Sequence, residues 1–185
     1  MKNCNTLLML LGLQFLFGSC KKEGMEINDE EVITTIQINL FPAGGSSPLT
    51  FAFRDLDGPG GNAPVIDTVK LSASSSYSAS LIVLNETVNP ADTVSNEIYT
   101  EADSHRFYYN PSVSSSLTVA NLDTDTNGVE LGLASTWITG NTGSGNLTIT
   151  LRHYSGTPPG KLNTDPVNSP KSSTDLEVTF PILIQ

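Results

Sequence analysis

Apolar and polar residues alternate with a period of two over most of this chain. Between Val32 and Leu40, Ile36, Ile38 and Leu40 fall on one face and Gln37 and Asn39 on the other. Successive side chains of a strand point to opposite faces, so this alternation predicts half-buried strands. The same pattern recurs in Leu49/Phe51/Phe53, in Val65/Val69/Leu71, in Tyr77/Ala79/Leu81/Val83 and in Leu117/Val119. It returns in Leu131/Leu133/Trp137, in Leu147/Ile149/Leu151 and in Leu176/Val178/Phe180/Ile182/Ile184. Pro181 has no N–H to donate, so one side of the last strand should lack a partner over part of its length. Turn-forming clusters such as Ala43-Gly44-Gly45-Ser46, Asp57-Gly58-Pro59-Gly60-Gly61-Asn62 and Gly140-Asn141-Thr142-Gly143 separate the runs. About eight or nine short strands punctuated in this way predict a mainly β fold. The expected form is a single antiparallel β-sandwich, Ig-like, over residues 32–185, because lone strands of this size are unstable until two apolar faces meet.

Two stretches break the alternation. From Asp92 to His105 the residues Val94, Ile98 and Ala102 recur every four, which predicts one short helix capped by Asp92 or Thr93. Its row Glu97, Glu101, His105 would place His105 at the helix end. Tyr154 to Thr174 holds Pro158, Pro159, Pro166 and Pro170 and has no period, so a mobile loop is expected there.

The N-terminus has a different character. Leu7 to Phe17 is an apolar run behind Lys2, too short to span a bilayer, which takes about 20 apolar residues. It suits a signal-peptide core. It ends in Phe17-Gly18-Ser19-Cys20, which resembles the lipobox of bacterial lipoproteins. That resemblance implies cleavage after residue 19, a lipid on Cys20 and attachment to a membrane. Residues 1–19 are then the signal peptide, and residues 20–31, charged and without period, are anchor and flexible tether. Cys4 leaves with the signal and no intrachain disulfide can form.

Composition narrows the function classes. Nine Lys+Arg stand against 19 Asp+Glu, a net charge of −10. No electrostatic footprint for nucleic acid is present. With 21 Ser and 20 Thr among 185 residues, the chain looks extracytoplasmic rather than coiled-coil. No G-x-S-x-G, H-E-x-x-H or C-x-x-C occurs, and the expectation is a non-catalytic protein.

Two constellations could hold cations. His153 continues the inward stripe of Leu147, Ile149 and Leu151, and His105 falls within the apolar stripe of the expected helix. If the two histidines converge, His105, His153 and Glu101 form a site for a Zn- or Cu-like ion. The alternative is a histidine at a helix C-terminus and a half-buried strand histidine, each without a ligand. Asp123-Thr124-Asp125-Thr126-Asn127-Gly128 matches the first half of a calcium loop, with Asp123, Asp125 and Asn127 as oxygen donors. Ala134 stands where such a loop carries its bidentate Glu, and the same residues read as an Asn-Gly hairpin turn. Phe107-Tyr108-Tyr109 should send Tyr108 outward and its neighbours into the core.

Several blocks, taken in order, carry a family resemblance: Phe53 to Pro64, Glu101 to Tyr109, Asp123 to Gly128, Thr136 to Gly140, Leu151-Arg152-His153, and Thr174 to Pro181. They resemble small Gram-negative lipoproteins often labelled "type 1 periplasmic binding fold superfamily protein". The label describes a two-lobed α/β architecture, whereas the residues here predict one β domain. The resemblance implies a cell-envelope lipoprotein, outer-membrane anchored, and supplies no activity. The expected role is an accessory that binds a metal ion or small ligand and partners an outer-membrane transporter. The alternative is a structural or adhesive surface module that binds protein or glycan through its loops.

Overall fold

A computed structural model describes residues 31–185 apart from Ser46 and Pro59. The expected signal peptide, Cys20 and the expected tether up to residue 30 lie outside the described residues. The fold is mainly β, with two sheets, one of them curled like a half-barrel, and one α-helix among the described residues. The first sheet comprises β1 (Thr35–Pro42), β2 (Leu49–Arg54), β3 (Val65–Ile66), β5 (Ser76–Leu84), β7 (Leu117–Ala120) and β8 (Ala134–Thr139), in the order β3-β2-β1-β5-β8-β7. The second comprises β4 (Val69–Leu71), β6 (His105–Pro111), β9 (Gly143–Tyr154) and β10 (Ser172–Ile184), in the order β4-β10-β9-β6.

The period-two stripes account for the core. Ile36, Ile38, Leu40, Leu81 and Val83 of the first sheet join Phe107, Leu147, Ile149, Leu151, Val178 and Phe180 of the second in one buried cluster with Trp137. Each fully buried side chain of this size contributes roughly 1.5–3 kcal/mol relative to exposure. Tyr109 lies edge-on to Trp137, 6.4 Å between centroids, and its hydroxyl donates to the Gly132 carbonyl at 2.5 Å.

The structure corrects the expected topology in two places. Val65, Val69 and Leu71 do not form one strand. Asp67 ends β3 by exchanging bonds with Ala52: its N–H donates to the Ala52 carbonyl at 2.9 Å, and its Oδ2 accepts from the Ala52 N–H at 2.8 Å. The chain then crosses to the second sheet as β4, bringing the described strands to ten. There β4 pairs parallel with β10, from Ile182↔Val69 to Ile184↔Leu71, so the fold is not purely antiparallel. This pairing begins immediately after Pro181, where the missing N–H stops mattering.

The helix is also shorter than its apolar spacing suggests. α1 (Val94–Thr100) buries Val94 and Ile98, and Glu101 leaves helical geometry at φ −103, ψ 37. Asp103 and Ser104 favour turns. From His105 onward the aromatic residues pair with β9, and that pairing wins over helix continuation. The proline-rich stretch after β9 is laced down rather than loose. Arg106 donates to the carbonyls of Leu162 (3.0 Å) and Asn163 (3.3 Å), and Arg152 donates to those of Ser169 and Ser172. Lys171 reaches Asp165 at 2.8 Å, and Lys161 and Ser169 are buried.

Candidate metal centre

β6 and β9 run antiparallel with His105 directly opposite His153. Directly opposed residues carry side chains on the same face of a sheet. The two imidazoles accordingly sit 4.6 Å apart, tilted by 31°. His105 is 1% exposed. Its Nδ1 lies 3.1 Å from the backbone carbonyl of Glu101. A carbonyl only accepts, so Nδ1 carries the proton and Nε2 carries a lone pair. That lone pair is buried and has no hydrogen-bond partner. It faces Oε1 of Glu31 at 3.8 Å, and Oε2 of Glu31 is likewise buried without a hydrogen bond.

Two acceptors facing each other need a proton or a cation between them. Burial draws His105 down to about 4, against the Glu101 carbonyl bond, with His153 and Lys161 pulling the same way as burial. Burial pushes Glu31 up to about 7, aided by Asp175, Glu97 and Glu101. At neutral pH the imidazole is therefore neutral and available as a ligand, while the carboxyl is poised to exchange its proton for a metal ion.

Further donors converge on the same place. His105, His153 and Asp175 offer ligand atoms within 4.8 Å of one another, as do Glu31, Glu101 and His105. Asp175 gets there through a β-bulge: the β9–β10 register shifts between Thr174 and Leu176, and Asp175 is the inserted residue. Ligands about 2.1 Å from a tetrahedral zinc ion stand about 3.4 Å apart, so the donors close in by about an ångström to coordinate one. Two imidazoles with carboxylates suit zinc or copper. The Nδ1–H bond to the Glu101 carbonyl is the kind of outer contact that orients a ligating histidine. A groove of about 400 Å³ lined by Glu31, Asn96, Glu97, Thr100 and Glu101 leads in from one side and is acidic.

Glu101 takes part differently from its expected role. It is exposed at the helix end, its carboxylate is one donor of the second group, and its carbonyl fixes His105. Sequence reasoning missed Glu31, which lies in an aperiodic charged stretch, and Asp175, which a bulge re-aims. No periodicity signals either residue.

The calcium-type loop is built around other partners. Asp123 Oδ1 accepts from the N–H groups of Gly132 (2.8 Å) and Ala134 (3.0 Å). Asp125 Oδ1 accepts from Asn127 (2.8 Å) and Val129 (3.0 Å), closing the turn at Gly128, whose φ is +75°. Asp125 Oδ2 meets the ammonium of Lys161 at 3.0 Å, with both side chains almost fully buried. Lys161 also donates to the carbonyls of Ala102 (2.6 Å), His105 (2.9 Å) and Glu130 (3.2 Å). Burial opposes both charges. For Asp125 the bonds from Val129, Lys161 and Asn127 outweigh it and hold the carboxyl below its usual value; for Lys161 burial prevails and lowers the ammonium's pKa. Asn127 is exposed at the turn. The chain itself thus supplies a cation at this loop.

The chain matches no family model, no curated protein and no solved structure.

Proposed function

We propose that the protein is a non-catalytic lipoprotein of the cell envelope whose domain holds a divalent transition-metal ion, zinc or copper, at His105 and His153. The observation that carries this reading is the buried Nε2 of His105, which has no hydrogen-bond partner and stands 3.8 Å from the Glu31 carboxyl. The acidic groove beside it would draw cations in. The envelope assignment rests on the lipobox-like residues ending at Cys20, which would anchor the chain to the outer membrane. No helix among the described residues is long and apolar enough to cross a membrane. The single core shared by residues of both sheets favours an Ig-like sandwich as the finer description of the fold. An accessory that presents its ion to an outer-membrane transporter fits a site that is open on its acidic side.

Titration calorimetry with tag-free protein tests the reading. Zinc or copper should bind the parent with one ion per chain, and the His105→Ala/His153→Ala double variant should lose that binding. Equal affinity in the two proteins overturns it.

One observation favours an adhesive role as a second reading. A groove of about 410 Å³ on the second sheet is lined by Tyr108, Asn110, Thr148, Thr150 and Glu177, with Pro166 as one wall. Hydroxyl, amide and carboxylate groups beside an aromatic ring are what a sugar uses. Glycan-array binding that is lost on Glu177→Ala, in a protein that takes up no metal, would establish this role instead.

A further inference from the structure

We propose that Glu31 is the carboxylate that completes the ion site, so that ion binding fastens the root of the N-terminal segment to the domain. The inference rests on the metal-binding reading above and adds a ligand and a consequence to it.

Glu31 and Glu101 are the two carboxylates grouped with His105 on the groove side. Glu101 is exposed just past the end of α1, so its carboxylate keeps access to solvent. The Glu31 side chain is only 16% exposed, its Oε1 stands 3.8 Å from the unpartnered Nε2 of His105, and its Oε2 is buried without a hydrogen bond. A carboxylate buried in this way among Glu97, Glu101 and Asp175 is one that a cation would stabilise. An ion bridging His105 and Glu31 satisfies both orphaned atoms in one step.

The backbone gives this ligand its consequence. Among the described residues, the hydrogen-bonded chain starts at Thr34, whose N–H donates to the Leu84 carbonyl at 3.0 Å and whose Oγ1 accepts from the Glu86 N–H at 2.8 Å. Residues 31–33 precede that anchorage; Ile33 already packs against the core, whereas Val32 is exposed. Beyond Ile33, the side chain of Glu31 is the clasp that an ion would close on His105 of β6. The coupling is reciprocal: an ion that grips Glu31 holds the stretch, and loss of Glu31 weakens the ion by the same factor. Glu31 also follows Cys20 by only 11 residues, a reach of at most about 40 Å. With Cys20 lipidated, the closed clasp would keep the ion-bearing face near the membrane.

The test uses the full chain from residue 20 onward in detergent, with zinc alone as the probe. Glu31→Gln should bind zinc at least 10- to 100-fold more weakly than the parent, a larger loss than Glu101→Gln gives. Hydrogen exchange read by mass spectrometry should show zinc slowing exchange at residues 31–35 of the parent but not of Glu31→Gln. An unchanged melting temperature for metal-free Glu31→Gln will show that it is folded. If the parent binds zinc through its histidines while Glu31→Gln binds equally well, or if zinc leaves exchange at residues 31–35 untouched, the clasp is overturned and the metal reading stands. If the parent binds no zinc or copper, both fall together.

Discussion

Asp125 and Glu31 are both carboxylates folded against the domain, and both are linked to His105, Asp125 through Lys161 and Glu31 directly, yet their surroundings are opposite. Asp125 meets an ammonium and two backbone N–H groups. Glu31 meets a lone pair and three other acids. The loop at Asp125 has the sequence of a calcium site but carries its own cation, delivered by Lys161 from a distant segment. The cluster at Glu31 has no sequence motif, and the charges that shift its carboxyl are three other acids. A run of carboxylates is therefore a poor guide to a cation site until the charges that the rest of the chain brings have been counted.

Removing the internal cation should break this contrast most severely. Lys161→Met takes one partner from a buried ion pair and leaves Asp125 charged in the interior, which costs about 3–5 kcal/mol. For a domain of this size each kcal/mol lowers the melting temperature by about 2–4 °C. The loss should be readable by calorimetry as a fall of roughly 10 °C. Calcium should then recover part of it in Lys161→Met while leaving the parent unmoved. Equal calcium responses in the two proteins would erase the contrast.

On the other side, His105→Ala should weaken zinc binding by at least about 100-fold, because losing a ligand costs more than losing one of the outer contacts, which cost about 10- to 100-fold. Lys161→Met should leave zinc affinity within a few-fold if the protein is studied well below its melting temperature. A large zinc defect in Lys161→Met would mean that the two regions act as one site.

How much of this was legible in the sequence depends on whether a residue lies within a period. The core strands were, because one face of each is buried and Ile36, Ile38, Leu40, Leu147, Ile149 and Leu151 repeat every second residue, whereas both residues of β3 are exposed. His153 follows from the same parity. His105 was placed on the wrong element, at a helix end rather than a strand start, yet it arrives beside its partner because β6 aligns it with His153. Lys161 was hidden in a proline-rich stretch without period, and only the fold shows it reaching Asp125. The bulge that turns Asp175 toward the histidines leaves no mark on the alternation. Asp67, which ends β3 and sends the chain to the other sheet, reads in sequence as a mere interruption. Local patterning reports faces, whereas these residues are fixed by partners far along the chain.

The two regions should also differ in their response to pH, with an effect on the order of 2–3 kcal/mol for each perturbed group. His105 is drawn down to about 4, so between about 4 and its ordinary value of 6.5 the unfolded chain binds more protons; stability is present above that window and is lost as pH falls through it. Glu31 is raised to about 7, so its contribution is present below its ordinary 4.5 and is lost as pH rises through 7. Metal-free protein should be most stable between about pH 5 and 6.5, and zinc should move that optimum upward by replacing the Glu31 proton. Asp125, held below its ordinary 3.8, adds a loss only in stronger acid. A melting temperature that rises steadily from pH 5 to 8 without metal would contradict the placement of Glu31.

The smallest effect belongs to Asn127, and it separates a turn from a calcium site cleanly. In a calcium loop its side-chain oxygen would be a ligand, and Asn127→Ala would cost affinity and calcium-dependent stability. In the turn seen here it contributes its backbone N–H to Asp125 Oδ1, and its exposed side chain makes no hydrogen bond among the described residues. Alanine keeps that N–H, so Asn127→Ala should change stability by no more than about 0.5 kcal/mol. Gly128→Ala next to it should cost about 1 kcal/mol, because φ is +75° there and a Cβ is strained in that region even with open space around it. Thermal melts of the two variants with calcium and with EDTA decide the point. Superimposable melts for Asn127→Ala and the parent in both solutions are expected, and a calcium-dependent gap between them would return the loop to the cation sites.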